Sequence, residues 1–480
     1  MLDNAVNNHA KRVALIRDKK RFTYEQLNRS VNAVAHLLRE SGIARGDKVA
    51  LMLPNIPEFV YGYFGILKCG AVAVTLNTAS TPYEMTHLLN SSDSKILITQ
   101  SVQVKKFDEV KEKLDTCRTV VAAESLFDEG ELLPGIPNAE FPLSADIMPE
   151  DPAVMIYTAG LTGRPLGAVL SHHNLCSQAN IIQDIVERKP EDVALALIPL
   201  FHAFGATTNM LLVIRAGASM VMMDRLTMES LFGAIERERI TYISAVPRLY
   251  MGMIFYEKVP KYDLSSLKVC ITGGAPMPPE FMPVFEQKFG IPVFEGYGLT
   301  EASPVCSFNR LDKEPVLGSI GVPMPGIEMK VVDEQGKELP RNQIGEVVVK
   351  GDNVMLGYYK DEEATASVIR DGWLYTGDLG RIDEEGYIFL TGRKKRMIIT
   401  SGFNVYPREV ETVLELNPAV ESCLAAGKED LMRGEIVKAF VVLKKGCTVS
   451  DKEIIRHCKQ YLSYYKVPRE VEFVEKLPEG

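Results

Sequence analysis

The side chains best suited to chemistry lie toward the carboxyl end of the chain, where charged residues follow glycines. Asp378 follows Gly377, and the four basic residues from Arg393 to Arg396 follow Gly392. Such a basic run, when isolated, is best explained as a solvated loop. Here it lies between two compositionally distinct parts of the chain, so it is also interpreted as a hinge that carries an anion-binding arginine.

Three other stretches place glycines directly after an apolar, strand-like run. The backbone N–H groups of such a turn can bind a phosphate, although each turn alone is better explained by folding. The first of them, TAGLTGRPLG (158–167), is not a Walker A loop, because no Lys-Ser/Thr pair follows its last glycine and no helix begins there. Together, three turns at strand ends predict a nucleotide cleft at the edge of an α/β sheet. The stretches are TAGLTGRPLG (158–167), GGAP (273–276) and EGYGLTE (295–301).

The elements that must position these turns alternate between strand and helix. Capping boxes at Thr23 with Gln26 and at Thr81 with Glu84 predict two helix starts. This alternation favours parallel sheets covered by helices. Around the basic run, glycines are expected to mark turns between strands. The predicted strands are Val13–Ile16, Lys48–Leu53, Ala71–Leu76, Lys95–Thr99, Ala153–Tyr157, Val193–Ile198, Val269–Thr272, Tyr387–Leu390, Met397–Ile399, Val420–Ala426 and Ile436–Leu443, and further helices are Pro57–Leu67 and Tyr406–Leu416.

Length and composition bound the class of protein. A chain of 480 residues should hold more than one domain. The net charge of −9, with no other concentrated basic block, argues against a nucleic-acid partner. The eight cysteines form no CxxC or Cys/His cluster, which favours reduced thiols. We expect a cytoplasmic protein without an integral membrane segment, since the N-terminus is too polar for a signal peptide and no apolar run has membrane-spanning length.

Six motifs, taken together, resemble one enzyme family. They follow the order found in AMP-forming acyl-CoA synthetases of the adenylate-forming superfamily, most closely those for medium- and long-chain fatty acids, from about Arg12 to the last residue. The resemblance implies an α/β fold with a large multi-subdomain N-terminal portion of helix-covered sheets (1–394), joined by a hinge to a small α+β C-terminal lobe (395–480). The motifs are YTAGLTGRPLG (157–167), PLFHAFG (199–205), GGAP (273–276), EGYGLTE (295–301), YTGD (375–378) and GRKKRMIITSGFNVYPREVE (392–411).

The resemblance implies a two-step ligation that uses ATP, Mg²⁺ and coenzyme A. A carboxylic acid, with a fatty acid as first choice, is joined to AMP with release of pyrophosphate, and the acyl group then passes to coenzyme A. An amino acid is disfavoured, because no acid near His202 would pair with its ammonium group. Three alternatives stay open: an aryl acid, loading of a carrier protein and, least favoured, a non-catalytic nucleotide- or acyl-binding relative. A homodimer is a further expectation.

The resemblance also implies roles for individual residues. His202 lies near the carboxylate, although a histidine among aromatic residues is more often a packed core residue. Glu301 holds Mg²⁺, a hard cation that prefers carboxylate oxygen. Lys395 is the hinge, and Gly402 and Phe403 line the coenzyme A passage. The implied ATP and AMP contacts are Thr158, Gly160, Thr162, Gly163, Gly274, Ala275, Pro276, Glu295, Gly296, Tyr297, Gly298, Thr300, Asp378 and Arg393, with Thr300 also catalytic, and the acyl contacts are His202, Phe204, Thr207, Ala245, Val246 and Gly273.

The chain departs from the family pattern in two places. Ala159, Leu161 and Leu166 stand where the family commonly has Ser, Thr and Lys, so two hydroxyls and one cation for pyrophosphate are missing. This predicts weaker ATP handling or compensation by another basic residue. The sequence also stops just before the family's last lysine, for which truncation is the favoured explanation, and Lys466 is not its replacement.

Overall fold

The computed structural model describes residues 1–137, 139–141, 143, 145–159, 165–223, 226–394 and 397–478. Within them, two sheets of mainly parallel strands dominate the fold. The larger sheet has antiparallel strands at both edges. Its strands, in spatial order, are Val322–Pro323, Val305–Phe308, Val293–Gly298, Val269–Thr272, Tyr242–Ala245, Val193–Ala196, Ser219–Met222, Val13–Arg17 and Lys20–Thr23.

The second sheet has the same mixed character, with a parallel centre and an antiparallel edge. Its strands, in spatial order, are Gly357–Tyr358, Pro165–Ser171, Pro152–Ala159, Val72–Thr75, Lys48–Met52, Ser94–Thr99 and Thr119–Ala122. Apart from it, Phe127–Asp128 pairs with Glu131–Leu132 in a short hairpin.

Helices lie between the two large sheets and cover their outer faces, because each sheet buries apolar residues on both sides. One continuous core joins the sheets through helices Tyr24–Glu40, Pro57–Lys68 and His172–Val186. The predicted capping boxes at Thr23 and Thr81 are confirmed. The remaining α-helices are Leu2–His9, Pro82–Ser91, Ser101–Val110, Ala203–Gly205, Leu212–Ala216, Met228–Glu238, Pro247–Phe255, Phe281–Phe289, Glu362–Val368, Pro407–Glu415 and Asp451–Tyr461, with a π-helix at Ala206–Leu211 and 3₁₀ turns at Lys111–Lys113, Ala123–Ser125, Val259–Lys261 and Thr300–Ala302.

Two smaller sheets follow the large ones along the chain. The third sheet is antiparallel, and the fourth has its own core with helices Pro407–Glu415 and Asp451–Tyr461. The fourth sheet and its helices are called the C-terminal lobe below. Strands of the third sheet are Glu328–Val332, Gly345–Lys350, Trp373–Ile382, Ile369–Arg370 and Ile388–Arg393, and those of the fourth are Phe403–Val405, Ile398–Thr400, Gly434–Leu443, Val420–Asp430 and Glu470–Phe473.

The α/β fold with a large N-terminal portion and a small lobe is confirmed, but two local predictions are wrong. Gly377 does not separate strands: it lies at φ +77° inside the strand Trp373–Ile382, whose register shifts just beyond it. Gly296 and Gly298 likewise lie within the strand Val293–Gly298, and the turn follows at Leu299. A glycine inside a strand permits a bulge or a close backbone approach, which the pattern of apolar runs does not distinguish from a turn. No helix among the described residues is long and apolar enough to cross a membrane.

Candidate active site

A cavity of about 370 Å³ opens where the strands of the larger sheet end. The turn at 273–276 follows the strand Val269–Thr272 and lies beside the end of the neighbouring strand Val293–Gly298, which brings these two segments together at this edge. Thr158 reaches the same cavity from the strand Pro152–Ala159 of the second sheet. Most of the predicted nucleotide contacts line it together. They are Thr158, Gly274, Ala275, Pro276, Glu295, Gly296, Tyr297, Gly298, Thr300, Asp378 and Arg393, with the predicted metal ligand Glu301 beside them.

A hydrogen-bonded group of three side chains forms one wall of this cavity. Asp378 and Arg393 face each other across two antiparallel strands, and Arg393 Nε lies 2.7 Å from Asp378 Oδ1. The hydroxyl of Tyr297 donates to Asp378 Oδ2 at 2.5 Å. Arg393 Nη1 is buried without a hydrogen-bond partner among the described residues. An unpartnered cationic donor in a buried wall fits a polar or anionic ligand group.

Glu295 lies deeper in the same wall and is 5% exposed. Its Oε1 accepts the Met277 N–H at 3.1 Å, while burial raises the pKa of the carboxyl to about 7. Near neutral pH this carboxyl therefore exists in both protonation states, so it can donate or accept a hydrogen bond.

Glu301 lines the cavity from a 3₁₀ turn. Its Oε1 accepts the hydroxyl of Tyr358 at 2.8 Å. No group of three or more His, Cys, Asp or Glu side chains among the described residues could hold a metal ion by itself. A single carboxylate suits Mg²⁺ that also takes oxygens from bound phosphates and water.

His202 lines the cavity and is neutral near pH 7. Burial lowers its pKa to about 4. Its Nδ1 accepts the Phe204 N–H at 3.2 Å, so the neutral ring carries its proton on Nε2. The proton on Nε2 makes that atom a hydrogen-bond donor without a net charge on the ring.

Part of the cavity lining is apolar, and we call the part formed by Ile182, Ile185, Val186 and Ile271 the apolar branch. Phe204 and Gly273 of the predicted acyl contacts line the cavity with His202. The other three, Thr207, Ala245 and Val246, are not among its lining residues: Thr207 donates to Ser303 O at 3.3 Å, Ala245 is buried, and Val246 lies against Gly402. Sequence reasoning missed the lining residues Ile182, Ile185, Val186, Tyr242 and Ile271, although the first three share one face of a helix.

A second cavity of about 840 Å³ lies between the N-terminal portion and the C-terminal lobe. It meets the first cavity, and the residues common to both walls are Thr158, His202, Thr300, Asn404 and Tyr406. Of the predicted coenzyme A contacts, Gly402 lines the first cavity and Phe403 the second. Gly402 has φ +85°, and a Cβ there would come within 2.6 Å of Val246.

The C-terminal lobe contacts the N-terminal portion along helix Pro82–Ser91. Lys466 Nζ lies 2.8 Å from Glu84 Oε1 across the interface and 2.5 Å from Glu409 Oε1 within the lobe. All three side chains are at most 12% exposed. Burial disfavours the Lys466 ammonium, but the two carboxylates offset this and hold its pKa well above the usual value. We call Lys466, Glu84 and Glu409 the interlobe triad.

Lys394, the last described residue before the predicted domain boundary, makes two contacts with the third sheet. Its N–H donates to Gly377 O at 2.8 Å, and its Nζ lies 2.9 Å from Glu346 Oε2. Glu346 Oε1 also accepts the Gly377 N–H. The predicted hinge residue Lys395 lies outside the described residues, as do Gly160, Thr162 and Gly163.

Comparison with known proteins gives two family matches. Residues 2–359 match the model of the AMP-binding enzyme family, and residues 409–479 match the C-terminal domain of AMP-binding enzymes. A long-chain-fatty-acid–CoA ligase of Bacillus subtilis (strain 168) is 34% identical over 96% of this chain and 88% of that protein.

Two solved structures differ in how closely they match. A double mutant of o-succinylbenzoate CoA synthetase from Bacillus subtilis, bound to a product analogue, is 28% identical and covers 100% of this chain and 95% of its own, with a TM-score of 0.88. ATP-bound MatB from Rhodopseudomonas palustris is 30% identical, with coverage of 100% and 95%, but its TM-score is 0.76.

Proposed function

The chain belongs to the AMP-binding enzyme family and is an AMP-forming acid–CoA ligase, and on this premise we propose that its acid is a fatty acid. The apolar branch beside the nucleotide wall carries the proposal for the acid, and the junction of the two cavities carries the proposed order of the two steps. One cavity combines a polar nucleotide wall with an apolar branch, and the other reaches their meeting point from between the lobes. An acyl-adenylate can therefore stay in place while a thiol arrives from another direction.

In the first step, we propose that the acid carboxylate attacks the α-phosphate of ATP and pyrophosphate leaves. Two anions must approach each other, so the site has to supply donors and positive charge. His202 Nε2–H and the hydroxyl of Thr300 are the proposed donors at the reacting oxygens. Asp378 and Arg393 would hold the ribose, with Arg393 Nη1 supplying the free donor. Mg²⁺, held by Glu301 and the phosphates, would neutralise charge on the triphosphate.

In the second step, the coenzyme A thiol attacks the acyl carbonyl and AMP leaves. We propose that the observed position of the C-terminal lobe serves this step, because its hairpin of Ile398–Thr400 and Phe403–Val405 lies over the site. Turning about Lys395 would then bring another face of the lobe over the site for the first step.

The fatty acyl group is favoured by the apolar branch, since Ile182, Ile185, Val186 and Ile271 offer methyl groups to a chain. The fatty-acid ligase among the relatives supports it. An aryl acid is the second candidate, favoured by the likeness to the o-succinylbenzoate enzyme. Loading of a carrier protein is less favoured, because the fatty-acid relative is a CoA ligase. The non-catalytic alternative is disfavoured by the retained Glu301 and Asp378.

The test supplies ATP, Mg²⁺, coenzyme A and a panel of alkanoic and benzoic acids, with products identified by mass spectrometry. We expect acyl-CoA and AMP, most rapidly with alkanoic acids. Benzoyl-type products alone would select the aryl alternative, and acyl-AMP without acyl-CoA would select carrier-protein loading. Failure to form either product would refute the proposal. A matched Glu301→Gln variant should form little acyl-AMP, because it lacks the proposed metal carboxylate.

We further propose that the enzyme works in the cytoplasm as a homodimer. The eight cysteines are all free thiols, and ATP and coenzyme A are the substrates, which supports a reducing, nucleotide-rich compartment. Cell fractionation and sedimentation velocity of the purified protein test the two parts separately.

A further inference from the structure

The cavity reaches well below the edge of the larger sheet, and strand register gives its depth. Tyr242 lines the cavity from the first position of the strand Tyr242–Ala245, where it pairs with Val269 of the neighbouring strand. The last position, Ala245, pairs with Thr272, directly before the glycine turn at the edge. Since a parallel strand rises about 3.3 Å per residue, Tyr242 lies about 10 Å along the sheet from that edge.

The helix that forms the facing wall runs toward the same depth. Gln178, in the middle of helix His172–Val186, accepts the N–H of Val305, which lines the cavity. The three helix residues of the apolar branch follow Gln178 on the same helix face. Arg188 comes two residues after the helix, and its guanidinium carbon lies 3.7 Å from the centroid of the Tyr242 ring. The helix and the strand therefore meet at Tyr242, at the deep end of the branch.

Arg188 and Tyr242 form a closely packed pair, which we call the branch floor. The two residues are 5% and 4% exposed. Tyr242 also interacts with Ser244, and Arg188 interacts with Asp192. A guanidinium over an aromatic face is attracted to it, and the attraction grows when water is excluded. An alkyl chain that extended past Tyr242 would separate this pair and surround a buried charge with methylene groups, which is costly.

We propose that the branch floor limits the acyl chain to medium length, so that medium-chain fatty acids are the preferred substrates. An extended peptide chain advances about 3.3 Å over three backbone bonds, so a depth of about 10 Å holds an alkyl chain of about eight or nine bonds. This inference rests on the proposed function, because the reacting carboxylate must lie beside His202 for its chain to end at Tyr242. Tyr242 is a specificity-determining residue, Arg188 positions its ring, and neither takes part in the chemical steps.

The test measures kcat/KM of the enzyme for hexanoate, octanoate, decanoate, dodecanoate and hexadecanoate, with ATP, Mg²⁺ and coenzyme A. We expect kcat/KM to rise up to octanoate or decanoate, because each methylene adds apolar contact inside the branch. It should then fall by at least about tenfold at dodecanoate, as an apolar pocket discriminates about 10- to 200-fold for a methylene that does not fit.

Three variants locate the limit in the floor. The double variant Arg188→Met/Tyr242→Ala removes both the ring and the charge, and should raise the dodecanoate-to-octanoate ratio of kcat/KM by about tenfold. Tyr242→Phe is the matched control, since it keeps the stacked ring and should leave the ratio unchanged. Ile185→Phe fills part of the branch and should move the optimum to shorter acids, which keeps the inference testable if the double variant does not fold.

The failures are distinguishable. Equal kcat/KM for octanoate, dodecanoate and hexadecanoate in the wild type would overturn the inference, because the chain would then pass the floor. A folded double variant with an unchanged ratio, or an unmoved optimum in Ile185→Phe, would also overturn it, because another wall would then set the length. If no acid gives acyl-CoA, the proposed function fails. Calorimetric binding of octanoate and dodecanoate to the wild type then decides the length limit, which equal affinities would refute.

Discussion

Replacing Glu84 with Gln should separate the two half-reactions, because Glu84 is the member of the interlobe triad that belongs to the N-terminal portion. Glutamine keeps an acceptor for the Thr81 N–H, so helix Pro82–Ser91 retains its cap. It also leaves Lys466 paired with Glu409 inside the lobe. The variant therefore weakens the contact between the lobe and the N-terminal portion, and it leaves the internal packing of the lobe unchanged.

The size of the effect follows from burial. Glu84 and Lys466 are 7% and 12% exposed at the side chain, and Ser463 Oγ also donates to Glu84 at 2.6 Å. Hydrogen bonds to charged groups contribute about 1.5–3 kcal/mol each, so losing the carboxylate charge should shift the docking equilibrium by about ten- to a hundredfold. Removing a whole buried partner would cost more, about 3–5 kcal/mol.

The assay measures each half-reaction alone. Synthetic acyl-AMP with coenzyme A reports the second step, and exchange of labelled pyrophosphate into ATP reports the first. We expect Glu84→Gln to slow the second step and to leave the first unchanged or faster. Glu470→Gln is the control, because it breaks an exposed ion pair with Lys428 inside the lobe. An unchanged second step together with a slower first step would refute the assignment of this docked position.

Two further variants test the nucleotide wall. Leu166→Lys places an ammonium across from Thr158 and should lower KM for ATP by about tenfold, as expected for a charged hydrogen bond of about 1.5 kcal/mol. The control Leu166→Met should leave KM for ATP unchanged. An unchanged KM in Leu166→Lys would favour compensation by another basic residue. Burial raises the pKa of Glu295 to about 7, so the native state keeps this proton between pH 4.5 and 7 while the unfolded state loses it. The contribution of Glu295 to the free energy of unfolding is fully present below pH 4.5 and declines by up to about 3 kcal/mol as pH rises to 7. Thermal unfolding of the ligand-free enzyme should show this decline in wild type and in the control Glu280→Gln but not in Glu295→Gln, and parallel pH profiles of all three would contradict it.

Much of the nucleotide wall could be predicted from sequence, because its residues occur in short motifs within strands or directly after them. The glycine turn at Gly274 and the charges at Asp378 and Arg393 are local patterns. The capping boxes are equally local, since a box depends on two residues three positions apart. Such local features form in the same way whichever tertiary contacts surround them.

The rest of the site depends on distant contacts that no local pattern encodes. Lys466 contacts Glu84, 382 residues away, and no motif links these two positions. Arg188 and Tyr242 meet because a helix end lies against a strand of the larger sheet. Gly377 was expected at a turn because a bulge and a turn use the same residue type. The side chains of the pyrophosphate turn from Gly160 to Arg164 lie outside the described residues, so the effect of that turn stays a prediction.

The anchoring of Lys394 determines what kind of joint links the two lobes. Glu346 and Gly377 fix the chain up to this residue, and the sheet of the lobe begins at Ile398. A long flexible linker would let the lobe sample many distances, whereas so short a joint leaves few backbone bonds to rotate. On the proposed rotation about Lys395, the lobe would exchange its two faces as an intramolecular event of low chain entropy, at a rate independent of enzyme concentration. Each face would then return to the same small volume, so that the two proposed steps use one site in turn instead of competing for it.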